Sequence, residues 1–71
     1  MFFGSIDLNY VNLSGANLNG ANLSNINMVS TILNGADFTE TILIGANFNN
    51  SNLEDAIGGP FVGCIGHPLC V

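Results

Sequence analysis

Large apolar residues recur at every fifth position over most of this chain. The series is Phe3, Leu8, Leu13, Leu18, Leu23, Met28, Leu33, Phe38, Leu43, Phe48 and Leu53. A second series, two places earlier, is small or apolar and never charged: Met1, Ile6, Val11, Ala16, Ala21, Ile26, Thr31, Ala36, Thr41, Ala46 and Ser51. The position between the two is mostly Asn or Asp, and the two positions that follow are rich in Ser, Asn and Gly.

A period of five excludes a helix and favours short extended segments. In a helix, a step of five residues rotates the side chain by about 500°, so successive large residues would form no stripe. In an extended segment, side chains alternate, so the small and large residues point inward and the polar residue between them points outward. The next two residues suit a tight turn, because Gly and Asn tolerate positive φ. The pattern therefore predicts a coil whose backbone hydrogen bonds run between successive turns.

Four of the five-residue units resemble the pentapeptide-repeat family, whose motif is A-(D/N)-L-x-x. These units are Ala16–Gly20, Ala21–Asn25, Ala36–Glu40 and Ala46–Asn50. The resemblance covers residues 1–55, which is 55/5 or eleven units. It implies an all-β fold, a short right-handed quadrilateral β-helix with four units per coil and just under three coils. We expect the solenoid to span 1–57 and an irregular tail to span 58–71.

Two outward positions near the middle of the chain carry isoleucine instead of a polar residue. Ile42 stands where Asn or Asp is usual, and Ile44 stands at the first corner position. Under four-sided geometry both lie on one outer wall, on either side of the inward Leu43. They are either drift in a tolerant surface or an apolar contact patch, a feature that small monomers usually keep small. We treat Ile42 and Ile44 as a candidate interaction patch.

The charge balance limits the partners. The chain has no Lys or Arg and five acidic residues, which gives a formal net charge of −5. Without cations it has nothing to neutralise phosphates or anionic lipids, so neither nucleic acid nor a membrane surface is an expected partner. No apolar run approaches the ~20 residues of a membrane-spanning helix, and the expected location is the cytoplasm.

Catalytic machinery is missing from the pattern. The chain has a single histidine, His67, and no pair of carboxylates that the repeat would direct into one pocket. A packed solenoid also leaves no cleft. We therefore expect no catalytic, cofactor or metal site. The expected function is that of a structural or protein-interaction module, whose partner is another protein or a second copy through the open solenoid ends.

The tail after Asp55 breaks the pattern, because Gly58 stands where a large residue is due. One interpretation is a cap in which Gly58–Pro60 turns the chain and four apolar residues fold over the core: Phe61, Val62, Ile65 and Leu69. Cys64 and Cys70 are candidate disulfide or modification sites: they could close a small ring, although free thiols are the expected state in the cytoplasm. A metal site from Cys64, His67 and Cys70 is a weaker interpretation, since structural zinc sites take four ligands.

A third interpretation treats the chain as the precursor of a ribosomally made, modified peptide. Gly58-Gly59 resembles the end of a double-glycine leader, and Leu53 lies six residues before Gly59. The leader would be 1–59 and the core peptide 60–71, with Cys64 and Cys70 as modification sites. Such a precursor would need a maturation enzyme and an exporter. The residues alone leave this alternative open beside the cap.

Overall fold

The computed structural model describes residues 6–71, and its main chain repeats every five residues. Within that range there is no helix, and the β structure consists of isolated parallel bridges. Seven bridges join residues twenty apart, from Asp7–Asn27 to Asp37–Ile57. Each turn of this β-helix solenoid therefore contains four five-residue units. The predicted inward residues Met1 and Phe3 lie outside the described residues.

Hydrogen bonds between turns run in both directions at each bridge. The amide of Leu23 donates to the carbonyl oxygen of Ile42 (2.8 Å), and the amide of Ile42 donates to the carbonyl oxygen of Ala21 (3.0 Å). Asn47 forms the same pair of bonds. Its carbonyl oxygen accepts from the amide of Met28, and its amide donates to the carbonyl oxygen of Ile26. A three-residue extended segment has no partner within its own turn, so these bonds satisfy backbone groups that would otherwise be unpaired.

Every corner from residue 10 to residue 55 contains one residue in the left-handed region. Glycine fills this place at 15, 20, 35 and 45, and six other residues fill it elsewhere, with φ between 58° and 67°: Tyr10, Asn25, Ser30, Glu40, Asn50 and Asp55. An amide–carbonyl bond closes the corner, as from Ala21 to Leu18 (2.9 Å). A bond across four residues with positive φ at the third is typical of a type II turn. The left-handed conformation costs a non-glycine residue about 1–2 kcal/mol.

The inward residues form a continuous core. The large central residues from Leu18 to Leu53 are all buried, and the rings of Phe38 and Phe48 pack edge to face with centroids 5.9 Å apart. Hydroxyl residues at the small inward position use main-chain acceptors. Thr41 Oγ1 donates to the carbonyl oxygen of Phe38 (2.7 Å), and Ser51 Oγ donates to that of Phe48 (2.6 Å).

The register changes after Ile57. Ile65 bridges Asn47, a separation of eighteen residues instead of twenty. Gly58 has φ of +99° and no room for a side chain, because a Cβ there would overlap main-chain atoms of Phe38 and Thr39. Phe61 supplies the missing core residue, and its ring meets that of Phe38 at a centroid distance of 5.4 Å.

Of the four apolar tail residues expected to fold over the core, the structure buries one. Phe61 is buried, but Val62, Ile65 and Leu69 remain about half exposed and do not cover the core. For Val62 and Ile65 the reason is that Phe61–Ile65 resembles another five-residue unit. Val62 and the positive-φ Gly63 form its corner, and Ile65 takes the outward bridging position.

Two glycines test how the corners are built. Gly35 and Gly45 have similar φ, 69° and 76°, but a Cβ on Gly35 would meet open space, whereas a Cβ on Gly45 would overlap Asn25 Oδ1. We expect Gly35→Ala to lower the free energy of unfolding by about 1 kcal/mol through backbone strain alone. Gly45→Ala should cost more, because the Asn25 side chain must also move.

Urea denaturation of both variants, and of each combined with Asn25→Ala, measures the difference. The extra loss at Gly45 should disappear in the Asn25→Ala background, while the loss at Gly35 should not change. Equal losses for the two single variants would contradict this packing of the corner.

Candidate interaction surface

Most Asn and Asp side chains on the outer walls are used by the corners. A side-chain oxygen of each accepts a hydrogen bond from the amide two residues later, at 2.8–3.1 Å. The seven acceptors are Asp7, Asn12, Asn17, Asn22, Asp37, Asn47 and Asn52. These bonds form Asx turns, which help to bend the chain. The polar character of the outward position is thus explained by folding and does not by itself mark a binding site.

The corner at Val29 forms its side-chain hydrogen bond with a residue of the neighbouring turn instead. The amide of Val29 donates to Asn9 Oδ1 (2.7 Å), a side chain twenty residues earlier. The sequence gives no signal for this bond. Asn34 also stands at the first corner position, yet its Oδ1 is buried without a hydrogen-bond partner.

The candidate patch lies on the surface. Ile42 is 47% exposed and Ile44 is 64% exposed, whereas Leu43 between them is 4% exposed. The tail lies against the patch, because the amide of Gly45 donates to the carbonyl oxygen of Gly63 (2.8 Å). Val62, next to Gly63 in the chain, is 57% exposed. We call Ile42, Ile44 and Val62 the apolar wall.

Four of the five acidic residues surround the wall that precedes the apolar wall in the coil. Asp37 lies on that wall and is bridged to Ile57, whose side chain is exposed. Glu40 lies at the corner between the two walls, and Glu54-Asp55 forms the corner that leads to Ile57. Residues 6–71 contain no Lys or Arg to neutralise them.

Hydrogen bonds from Thr39 lower the pKa of Asp37 below its ordinary value. Thr39 donates twice to Asp37 Oδ1, from its hydroxyl at 2.5 Å and from its amide at 2.8 Å. The hydroxyl bond is the larger cause and the amide bond the second, and together they lower the pKa of Asp37 against a smaller opposing effect of desolvation. Hydrogen bonds to the charged form stabilise the carboxylate.

The two cysteines are joined, contrary to the expectation of free thiols. The structure contains a disulfide between Cys64 and Cys70, with Cα atoms 5.3 Å apart. The pairing occurs because residues 66–71 loop round and lie parallel to the last extended segment, where Cys70 forms a bridge with Phe61. Separation along the sequence does not reveal this return.

His67 forms a turn of the same kind as the Asx turns. Its Nδ1 accepts from the amide of Leu69 (3.1 Å), and its carbonyl oxygen accepts from the amide of Cys70 (3.0 Å). Nδ1 must be unprotonated to accept this bond. The side chain is therefore engaged in folding the tail. The described part of the chain holds no group of three or more His, Cys, Asp or Glu placed for a metal ion.

The surface of residues 6–71 has no detectable cavity. These residues also include no helix long and apolar enough to cross a bilayer. What the described surface offers for recognition is therefore its walls and the tail.

Comparison with known proteins identifies a family and a solved structure. The family model for pentapeptide repeats matches residues 3–35 and 25–57, with eight copies of the repeat. A similar solved structure is that of HetL, a pentapeptide repeat protein involved in heterocyst differentiation regulation from the cyanobacterium Nostoc sp. strain PCC 7120. The two sequences are 25% identical, and the alignment covers 72% of this chain and 35% of the HetL chain, with a TM-score of 0.39. This chain thus spans about a third of HetL. No curated protein matches it.

The hydroxyl of Thr39 should control the pKa of Asp37. Thr39→Val removes the hydroxyl donor and should raise the pKa of Asp37 toward its ordinary value of 3.8, whereas Thr39→Ser should keep it low. An NMR titration of the Asp37 carboxyl carbon measures both. An unchanged pKa in Thr39→Val would contradict this assignment.

The same bond predicts a pH dependence of stability. Because the pKa of Asp37 is lower in the folded than in the unfolded chain, its contribution is fully present above the unfolded value and is lost as pH falls through the folded value. Thr39→Val should therefore be less sensitive than the wild type to acid below about pH 4.

Proposed function

Because this chain belongs to the pentapeptide-repeat family, we propose that it is a non-catalytic module that acts by binding another protein. The observation that carries the proposal is the apolar wall. Ile42 and Ile44 place two exposed aliphatic side chains where the other units mostly have polar residues, and the surface of residues 6–71 around them has no cavity. Such a surface suits a flat protein contact better than a small ligand, since small ligands bind in clefts.

The charges select the kind of partner. Glu40 lies at the edge of the apolar wall and Asp37 on the wall before it, and the chain has no Lys or Arg to neutralise either. A complementary partner therefore presents an apolar centre beside Lys or Arg residues. Complementary charge mainly raises the association rate and the specificity, while burial of the apolar side chains provides most of the affinity.

The finer architecture belongs to the same proposal. We take 1–57 as one right-handed, four-sided β-helix of just under three coils, and 58–71 as an irregular C-terminal tail that follows it. The twenty-residue register of the described bridges supports four sides. Self-association through the coil ends and a cytoplasmic location stay predictions.

The precursor interpretation gains no support and is not proposed. Gly58 has a structural reason to be glycine, because a Cβ would overlap the main chain of Phe38 and Thr39. The family match accounts for residues 3–57 as repeats, which is most of the segment that the precursor interpretation treats as a leader.

Site-specific photo-crosslinking in the source organism tests the proposed contact. A photoreactive amino acid at position 44 should give a discrete adduct with one protein. The same group at Asn19, an exposed first-corner position in an earlier turn, should not. Loss of the adduct in Ile42→Asn would show that it depends on the apolar wall. Equal labelling from positions 44 and 19 would overturn the proposal.

Binding of the purified partner gives the second measurement. Ile42 is already about half buried, so a partner covers only the remaining half of a side chain whose full burial is worth ~1.5–3 kcal/mol. Because 1.4 kcal/mol is tenfold in affinity, Ile42→Asn should weaken binding about three- to tenfold. Asn12→Ser, on the wall opposite the apolar wall, is the control and should bind as the wild type does. Binding should also weaken as salt rises, and salt-independent binding would contradict a basic partner.

A further inference from the structure

The end of the chain returns to the last extended segment and pairs with it. The amide of Val71 donates to the carbonyl oxygen of Phe61 (2.9 Å), and the amide of Gly63 donates to the carbonyl oxygen of Val71 (3.0 Å). Cys70 forms a parallel bridge with Phe61, and the disulfide links Cys70 to Cys64. We call residues 66–71, held in this way, the clasp.

Beyond Gly66, which packs closely against the main chain of Asn49, the clasp has little besides the disulfide to hold it. Val71 is 75% exposed and Leu69 about half exposed, so the segment buries little apolar surface. Two backbone hydrogen bonds attach it to Phe61 and Gly63. The net gain from two such bonds is smaller than the entropic cost of ordering six residues. Closure of the ring by the disulfide removes much of that cost, because it keeps the segment near its docking edge.

The two sulfur atoms lie in different surroundings. Cys64 is 7% exposed and belongs to the core, whereas Cys70 is only partly buried. Cys64 takes the small inward position that Thr41 and Ser51 take in earlier units. Its Sγ lies 3.6 Å from the carbonyl oxygen of Phe61, three residues earlier. In the disulfide this sulfur has no proton to donate, but as a thiol it would donate to that oxygen, as the Thr41 hydroxyl donates to Phe38.

We propose that the Cys64–Cys70 pair is a reversible thiol–disulfide exchange site whose substrate is a dithiol. A thiolate of the dithiol attacks Cys70 Sγ, the more accessible sulfur, and the bond to Cys64 Sγ breaks. Cys64 Sγ leaves with the electron pair and takes a proton. The second thiolate of the dithiol then attacks the dithiol's first sulfur, which is bonded to Cys70 in the mixed disulfide. Cys70 is released and becomes a thiol. Two electrons pass to the protein, and the dithiol becomes a disulfide.

Reduction opens the clasp and leaves the coil intact. The bonds that hold the last turn to the solenoid, such as those of Ile65 with Ala46 and Phe48, do not involve 66–71. Release of the clasp frees the carbonyl oxygen of Phe61 and the amide of Gly63. The open form therefore presents an unpaired main-chain edge, which is a place where another extended segment can add. A reducing compartment favours the open form and an oxidising one the closed form.

Hydrogen exchange of the full chain with and without dithiothreitol tests the proposal. Reduction should lower the protection of the Val71 and Gly63 amides by about tenfold or more, because they then exchange by local opening. The amides of Met28 and Leu33, bonded between turns, should keep their protection. Removal of the reductant and reoxidation should restore the first pair. Iodoacetamide labelling and intact mass show that both thiols have formed.

Three results would overturn the proposal. Unchanged protection of Val71 and Gly63 after reduction would mean that the disulfide does not hold the clasp. Loss of protection at Met28 and Leu33 as well would make the disulfide a support of the whole coil. A disulfide that dithiothreitol reduces only after global unfolding would exclude exchange in the folded chain.

A variant that does not depend on reductant gives an independent readout. Cys70→Ser keeps Cys64 as a thiol beside the Phe61 carbonyl, and it should match the reduced wild type in its exchange pattern. Val71 and Gly63 protection at the oxidised wild-type level in Cys70→Ser would contradict the proposal.

Discussion

The whole structure depends on one backbone requirement, a left-handed residue at every fifth position. Each such residue turns the chain by one corner, and four corners bring the main chain back beside itself at a separation of twenty residues. Only then can the amides and carbonyls of the short extended segments find partners. Tyr10 and Glu40 are ill suited to positive φ and adopt it nonetheless, because the hydrogen bonds between turns outweigh the local cost.

This requirement determines which surface residues are free for recognition. The outward Asn and Asp side chains are mostly engaged in the corners, so their abundance reports on folding. The surface features that distinguish this chain from a regular repeat come from residues that depart from the pattern. Ile42 and Ile44 expose aliphatic surface on one wall, and the tail adds a disulfide and a clasp beyond the last regular unit.

The sequence predicts the repeating part well because every five-residue unit has the same inward, outward and corner positions. The inward series, the outward Asn and Asp and the corners with Gly or Asn all follow from the period of five. The tail is harder to predict. No pattern in the sequence predicts that Phe61 replaces the core residue missing at Gly58. None predicts that the bridge from Asn47 to Ile65 spans eighteen positions instead of twenty. The disulfide depends on the return of 66–71, which is a contact between segments and not a pattern along the chain.

The central claim is that successive turns pair at a separation set by four units of five. Scalar couplings across hydrogen bonds, measured by NMR on isotope-labelled protein, test it directly. Couplings should join the amide nitrogen of Leu23 to the carbonyl carbon of Ile42, and those of Met28 and Leu33 to Asn47 and Asn52. Coupling of these three amides to residues at another separation, or an absence of coupling to the residues nineteen places later while the amides are protected, would contradict the account.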